Sequence, residues 1–173
     1  MPQTIAIIGA GPLGRWLALR AARAGFRVLL EDVMPSNLHH AQELIRQELS
    51  AAALPAVDFV CTVEDAVRTA DLVIDCVPDE LESKLEILWL LDRMAPPHAV
   101  FATPTTTQSI ADLAACTYRP DKCVAIAARP AELAQGDASA IQIRTTVSTA
   151  PETIATVGQF WRALGYEPAF AAD

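Results

Sequence analysis

Near the N-terminus, Gly9-Ala10-Gly11-Pro12-Leu13-Gly14 repeats glycine at the spacing GxGxxG, and an acidic pair, Glu31-Asp32, follows, with Asp32 eighteen residues beyond Gly14. Glycine-rich hexamers arise by chance, so the surroundings decide what this one means. An apolar strand, Thr4–Ile8, runs into it; a helix, Pro12–Ala24, leaves it; a second strand, Arg27–Glu31, stops at the acid. That arrangement suits a dinucleotide. Gly9 permits a tight turn, Gly11 lets the backbone approach a pyrophosphate, and Gly14 lets helix and strand pack closely. Pro12 and Leu13 open the helix, whose free N–H groups and positive dipole end face the phosphates. Asp32 would accept hydrogen bonds from the adenosine ribose and repel a 2′-phosphate, favouring NAD over NADP, and no Arg follows it. Glu31 is the alternative acceptor, because strand ends read from sequence slip by a residue. A glycine turn that binds nothing is the competing reading.

The positioning elements alternate strand and helix to the end of the chain, the pattern of a doubly wound, mostly parallel sheet of the Rossmann type. Ser36 is expected to cap a helix to about Ala53, with Leu38, Ala41, Leu44, Ile45 and Leu49 on its apolar stripe. Strands at Val57–Thr62 and Leu72–Val77 enclose a short helix at Val63–Thr69. Helix Glu80–Met94 is stopped by Pro96-Pro97. Strand Ala99–Thr103 and helix Thr107–Ala115 follow, then strands Cys123–Ala127 and Ile141–Val147 on either side of an irregular stretch. A capping box at Thr149–Glu152 opens the last helix, which should bury Ile154, Val157, Trp161 and Leu164 before Gly165 and a strand at Glu167–Ala171. No repeat or linker divides the chain, so residues 1–173 read as one domain.

Composition narrows the partners. Of 173 residues 52% are apolar, which excludes a disordered chain, and the net charge of −8 argues against nucleic acid or an anionic membrane. The apolar runs are too short to span a bilayer and the N-terminus lacks a leader pattern, so the expected compartment is the cytoplasm. Cys61, Cys76, Cys116 and Cys123 have no metal-ligand spacing and read as reduced thiols, the first two within buried strands. No metal is expected.

Further segments carry a resemblance. Ile7–Gly14, Ala70–Asp79 (ADLVIDCVPD), Ala102–Ile110 (ATPTTTQSI) and Thr149–Asp173, with Leu164-Gly165 and the final Asp, stand in the order found in the N-terminal NAD-binding domain of the 3-hydroxyacyl-CoA dehydrogenases. The chain resembles that family over nearly its whole length. The resemblance implies cofactor contacts at Gly9, Gly11, Gly14 and Asp32, extends them to Val77 and Thr103, and puts Asp79 and Lys84 near the nicotinamide ribose. An acid in a first helical turn is favoured anyway, so those last two read equally as a solvated helix start. The family's active-site serine falls at Thr106 or Thr107, either of which could also be a helix cap.

The family's His/Glu dyad is not matched. Ala127 takes the place of the His if one residue is deleted, Ile126 if none is, and Gln142 takes the place of the Glu. Neither Ala nor Gln can move a proton at neutral pH. His39, His40 and His98 are expected on the surface. The family's helical arm is reduced to the helix near Ser36–Ala53, and the sequence stops where its C-terminal helical domain would start. The expectation is an NAD(H)-binding protein with altered or lost dehydrogenase chemistry. One alternative is an active NAD-dependent oxidoreductase on a 3-hydroxyacyl or small hydroxy or carbonyl substrate. There Arg129 or a threonine hydroxyl would polarise the carbonyl, and a partner chain would supply the substrate domain. A cofactor-free interaction module is the other. A homodimer or partner chain is expected at the face the helical domain would cover.

Overall fold

The computed structural model describes residues 3–49, 56–128 and 140–173. Strands β1 (Thr4–Ile8), β2 (Arg27–Glu31), β3 (Val57–Val60), β4 (Leu72–Asp75), β5 (Val100–Pro104), β6 (Cys123–Ile126), β7 (Ala140–Thr145) and β8 (Glu167–Ala172) form one sheet in the order β3-β2-β1-β4-β5-β6-β7-β8. All neighbours pair in parallel except β6 with β7.

The central strands are apolar throughout because both faces of the sheet are covered. On one side Ile5, Ile7, Val28 and Leu30 meet α1 (Pro12–Arg23), α2 (Pro35–Glu48) and α6 (Pro151–Ala163). On the other, Ala6, Ile8, Leu29 and Val73 meet α3 (Val63–Val67), α4 (Leu81–Met94) and α5 (Ile110–Ala114). Consecutive residues of β1 thus serve opposite cores, as the strand pleat requires. Trp161 of α6 is fully buried between Phe160 and Tyr166, with ring centroids 5.3 and 5.7 Å away. Burying such a side chain is worth about 2–3 kcal/mol, and Tyr166 beside it reaches α1, edge-on to the Trp16 ring at 6.0 Å and accepting from Arg20 at 2.9 Å. Because the helices after β1 and β4 go to opposite faces, a crevice opens between the carboxyl ends of these two adjacent strands.

Several expected boundaries shift. Helix α2 starts on Pro35 with Met34 as its cap, not Ser36, since proline's fixed φ suits the first helical position and Asp32 holds the Met34 N–H at 2.8 Å. It ends at Glu48, residues 50–55 lying outside the described part, and Leu44 is exposed. Helix α5 starts at Ile110, capped by Ser109, whose hydroxyl accepts from the Asp112 N–H. Thr107 therefore stays in the preceding loop. The capping box at Thr149 does not form: Ala150 is the cap, and the Thr149 hydroxyl accepts from the Thr146 N–H instead. Pro151 at N1 shifts the buried face of α6, so Thr153 and Phe160 are buried and Ile154 only partly. Strand β3 ends at Val60, leaving Cys61 exposed rather than buried.

Candidate functional site

The cleft is built from the three glycines. Gly9 has φ +102°, a conformation side chains rarely adopt. At Gly14 a Cβ would stand 1.8 Å from the Gly9 carbonyl oxygen, so only glycine lets α1 approach the turn. At Gly11 a Cβ would meet nothing within 4 Å: the space beside this backbone is open. An open side at the second glycine and crowding at the third fit a pyrophosphate lying along the loop. Helix α1 adds to this fit. It has no side-chain cap and no acid in its first turn, so its N-terminal dipole is not neutralised. Arg15, in that turn, donates to the Ala10 carbonyl at 3.1 Å and brings a cation to the loop.

A groove of about 420 Å³ runs from this loop across the strand ends. Its apolar walls are Ile8, Val63, Val77, Pro78 and Ile87; its polar edge is Glu31, Asp32 and Asn37. The two acids differ in their bonding. Asp32 Oδ1 accepts from the Met34 N–H at 2.8 Å and the Asn37 amide at 3.1 Å; Oδ2 accepts from the Ala10 N–H at 2.9 Å and the same amide. Glu31 is 4% exposed, and burial, with the neighbouring Asp32 charge, pushes its carboxyl up to about 7. Cys76 also lines the groove, its thiol held protonated by burial.

Lys84 is the largest departure from expectation. It is neither solvated nor among the residues that line the groove. It is fully buried, and its ammonium donates to Asp75 Oδ1 at 2.6 Å. Asp75 ends β4 beside Thr103 of β5, which is buried too. Burial raises the Asp75 carboxyl above the usual carboxylate range even against the Lys84 charge. The signal for this pair was present: Lys84, Ile87, Leu88 and Leu91 share one helical face, so the lysine sits on the apolar stripe of α4.

Asp79 turns instead to the loop after β5. Its Oδ2 accepts from the Thr106 N–H at 3.2 Å and the Thr107 hydroxyl at 3.4 Å, and both threonines are exposed. Arg144 grips the same loop from β7, donating to the carbonyls of Thr105 and Gln108 at 3.0 and 2.9 Å and to Asp173 at 2.7 Å. Partial burial opposes ionisation of Asp173. Hydrogen bonds from Ser109 and the Ala111 N–H, with the Arg144 charge, outweigh it and hold the carboxyl below its ordinary range. Neither Arg144 nor Asn37 carried a sequence signal.

The positions to which the resemblance assigns the dyad, Ala127 or Ile126 for the His and Gln142 for the Glu, lie together where β6 meets β7: the Ala127 N–H donates to the Gln142 carbonyl at 2.9 Å, and Ile126 pairs with Ile143. A methyl group and an amide stand there. Arg129 lies outside the described residues. His39 and His98 are exposed beside Glu43 and Asp71, and His40 is exposed as well. Of the expected cofactor residues, Gly9, Gly11, Asp32 and Val77 line the groove; Pro12, Leu13 and Gly14 form the helix start beside it, and Lys84 and Thr103 lie beneath the surface. Among the described residues no group of three His, Cys, Asp or Glu could hold a metal, and no helix is long and apolar enough to cross a membrane.

Residues 4–173 match the family model for the 3-hydroxyacyl-CoA dehydrogenase, NAD binding domain. The 5-formyl-3-hydroxy-2-methylpyridine 4-carboxylate 5-dehydrogenase of Mesorhizobium japonicum is 29% identical over 179 residues, taking in 97% of this chain and 57% of the relative. L-carnitine dehydrogenase of Burkholderia mallei is 32% identical over 176 residues, 96% of this chain and 54% of its own. A solved structure of a 5-formyl-3-hydroxy-2-methylpyridine 4-carboxylic acid 5-dehydrogenase, described as an NAD+-dependent dismutase, superposes with a TM-score of 0.84 at 29% identity, covering 100% of this chain and 59% of that one. The chain spans little more than half the length of these proteins.

Proposed function

The chain belongs to the 3-hydroxyacyl-CoA dehydrogenase NAD-binding family, and from that membership we propose that it binds NAD(H) in the groove while lacking the family's proton-transferring dyad, so that its dehydrogenase chemistry is altered or lost. The observation that carries this reading is the pair of adjacent positions, Ala127 and Gln142, at the β6–β7 junction. A general acid–base is worth about 10²–10⁴ in rate, and neither side chain can act as one. The bound nicotinamide would supply hydride transfer. This chain's residues would bind and orient. Gly9, Gly11 and the N–H groups of Leu13 and Gly14 would face the pyrophosphate, Glu31 or Asp32 the adenosine ribose, and Cys76, Val77 and Pro78 line the groove on its β4 side.

A second reading, an active oxidoreductase on a small hydroxy or carbonyl substrate, is favoured by one feature. The exposed Thr106 and Thr107 hydroxyls sit on a loop gripped from both sides by Asp79 and Arg144. A partner chain or second copy would then complete the substrate site.

An NADH fluorescence titration separates these, with Gly11→Val alongside. We expect wild-type affinity tighter than about 100 µM (roughly −5.5 kcal/mol), lost in the variant. No hydride transfer to acetoacetyl-CoA by the NADH-bound protein supports altered or lost chemistry; turnover abolished by Thr106→Val or Thr107→Val supports the second reading. No saturable binding of NADH or NADPH refutes both.

A further inference from the structure

Helix α4 buries one side and leaves the other to solvent. Lys84, Ile87, Leu88 and Leu91 face inward, while Glu82, Glu86, Trp89 and Arg93 share the opposite side and are all exposed. Single charged residues there need no explanation, but an indole with half its surface in water does. Leu85 and Leu90, both partly exposed, flank it and widen the apolar patch. The Arg93 guanidinium lies over the Trp89 ring at 4.5 Å, so the two side chains already hold each other in place and lose little freedom on docking. Tryptophan and arginine are also the types that concentrate binding energy at interfaces. Among the described residues Glu82, Glu86 and Arg93 form no ion pair.

The charges of this face are ordered along the helix, acids in its first half and arginine near its end. Two such helices set side by side in parallel would place acid on acid. Set antiparallel, they place acid on arginine, and a two-fold axis makes the match reciprocal. We propose that a second copy of this chain docks here, α4 against α4 and antiparallel, about a two-fold axis passing between Trp89 and Leu90. Trp89 then meets Trp89 and Leu90 meets Leu90. Glu86 of each copy stands opposite Arg93 of the other, because the two positions lie equally far from the axis on either side. One helix pair buries no more than the low end of stable interfaces, about 1,200 Å², so the association is weak and concentration-dependent. The net charge of −8 on each copy adds a repulsion that salt screens.

The test is sedimentation velocity of the 173-residue chain, in about 0.15 M salt, where charges are screened beyond about 8 Å. Over a concentration range from about 1 µM to about 1 mM, wild type should pass from monomer to dimer. W89A should weaken the dimer about tenfold or more. E86R and R93E should each do the same, since each sets like charges opposite one another twice. An equimolar mixture of E86R and R93E should regain the wild-type association as a heterodimer, in which every facing pair is again of opposite sign. That regain also separates contact from folding, because two misfolded proteins would not restore each other. A wild type that stays monomeric throughout overturns the proposal and leaves this face to a different protein. A dimer that W89A leaves intact sits on another face and overturns it as well. So does a mixture that associates no better than its two components, which excludes the antiparallel contact.

Discussion

Gly14→Ala probes how closely α1 is pressed against the glycine turn. The new Cβ would lie 1.8 Å from the Gly9 carbonyl oxygen and 3.4 Å from the Ile7 side chain. Comfortable carbon contacts need about 3.5–4.0 Å, so α1 or the Gly9 peptide must move by more than an ångström. The obstacle is backbone, which cannot swing aside. Overpacking costs about 1–3 kcal/mol, and more where backbone shifts; replacing a helical glycine returns about 1 kcal/mol. A net loss of at least about 2 kcal/mol should lower the melting temperature by roughly 4–8 °C in a domain of this size. Gly11→Ala is the counterpart. Its Cβ meets nothing within 4 Å and its φ is −67°, so only the modest preference for glycine over alanine at a helix N-cap is lost, about 1 kcal/mol or less. Gly11→Ala should keep the fold and lose NADH, and Gly14→Ala should lose the fold first. Circular-dichroism melts paired with NADH titrations measure both. A Gly14→Ala protein melting with the wild type, or a Gly11→Ala protein that binds NADH normally, would refute the geometric argument.

Three further expectations concern charge. Lys84→Met strands the Asp75 carboxylate in the interior and should cost about 3–5 kcal/mol in urea unfolding, whereas Asp75→Asn combined with Lys84→Met should recover much of that loss; equal losses in both proteins would contradict the pairing. Glu31 titrates at about 7 in the fold against an ordinary 4.5, so the folded state holds the extra proton between those values and stability should fall as pH rises from 5 to 8. The drop should vanish in E31Q. For Asp173 the sign is opposite: its lowered value means the latch to Arg144 and Ser109 is fully present above the ordinary carboxylate range and is lost on acidification below it. Arg144→Ala should therefore speed amide exchange across Thr106–Gln108 at neutral pH, and should leave exchange in β1 unchanged.

The sequence shows the alternation of strands and helices because each central strand is a short apolar run and each long helix carries a stripe. It shows the glycine loop because backbone space and φ can be met by one residue type only. Single caps are less legible: Ser36 and Thr149 are good capping residues, but a proline close by in each case, Pro35 or Pro151, fixed the helix start. At Lys84 chemistry and position point in different directions. Its charge suggested solvent or cofactor, while its place among Ile87, Leu88 and Leu91 pointed inward, and its partner Asp75 lies in a strand nine residues earlier. Arg144 and Asn37 act through contacts made by folding alone, and no local pattern announces such contacts.

Asp32 has a consequence for how the groove responds when something enters it. One carboxylate joins the glycine loop, the β2–α2 turn and the first turn of α2, so these segments are already ordered by the folding of the chain. The conformational entropy of fixing them is lost once, during folding, and is not charged again to each association event. The recognition surface at this end of the groove is accordingly preorganised, and a ligand there meets a rigid frame.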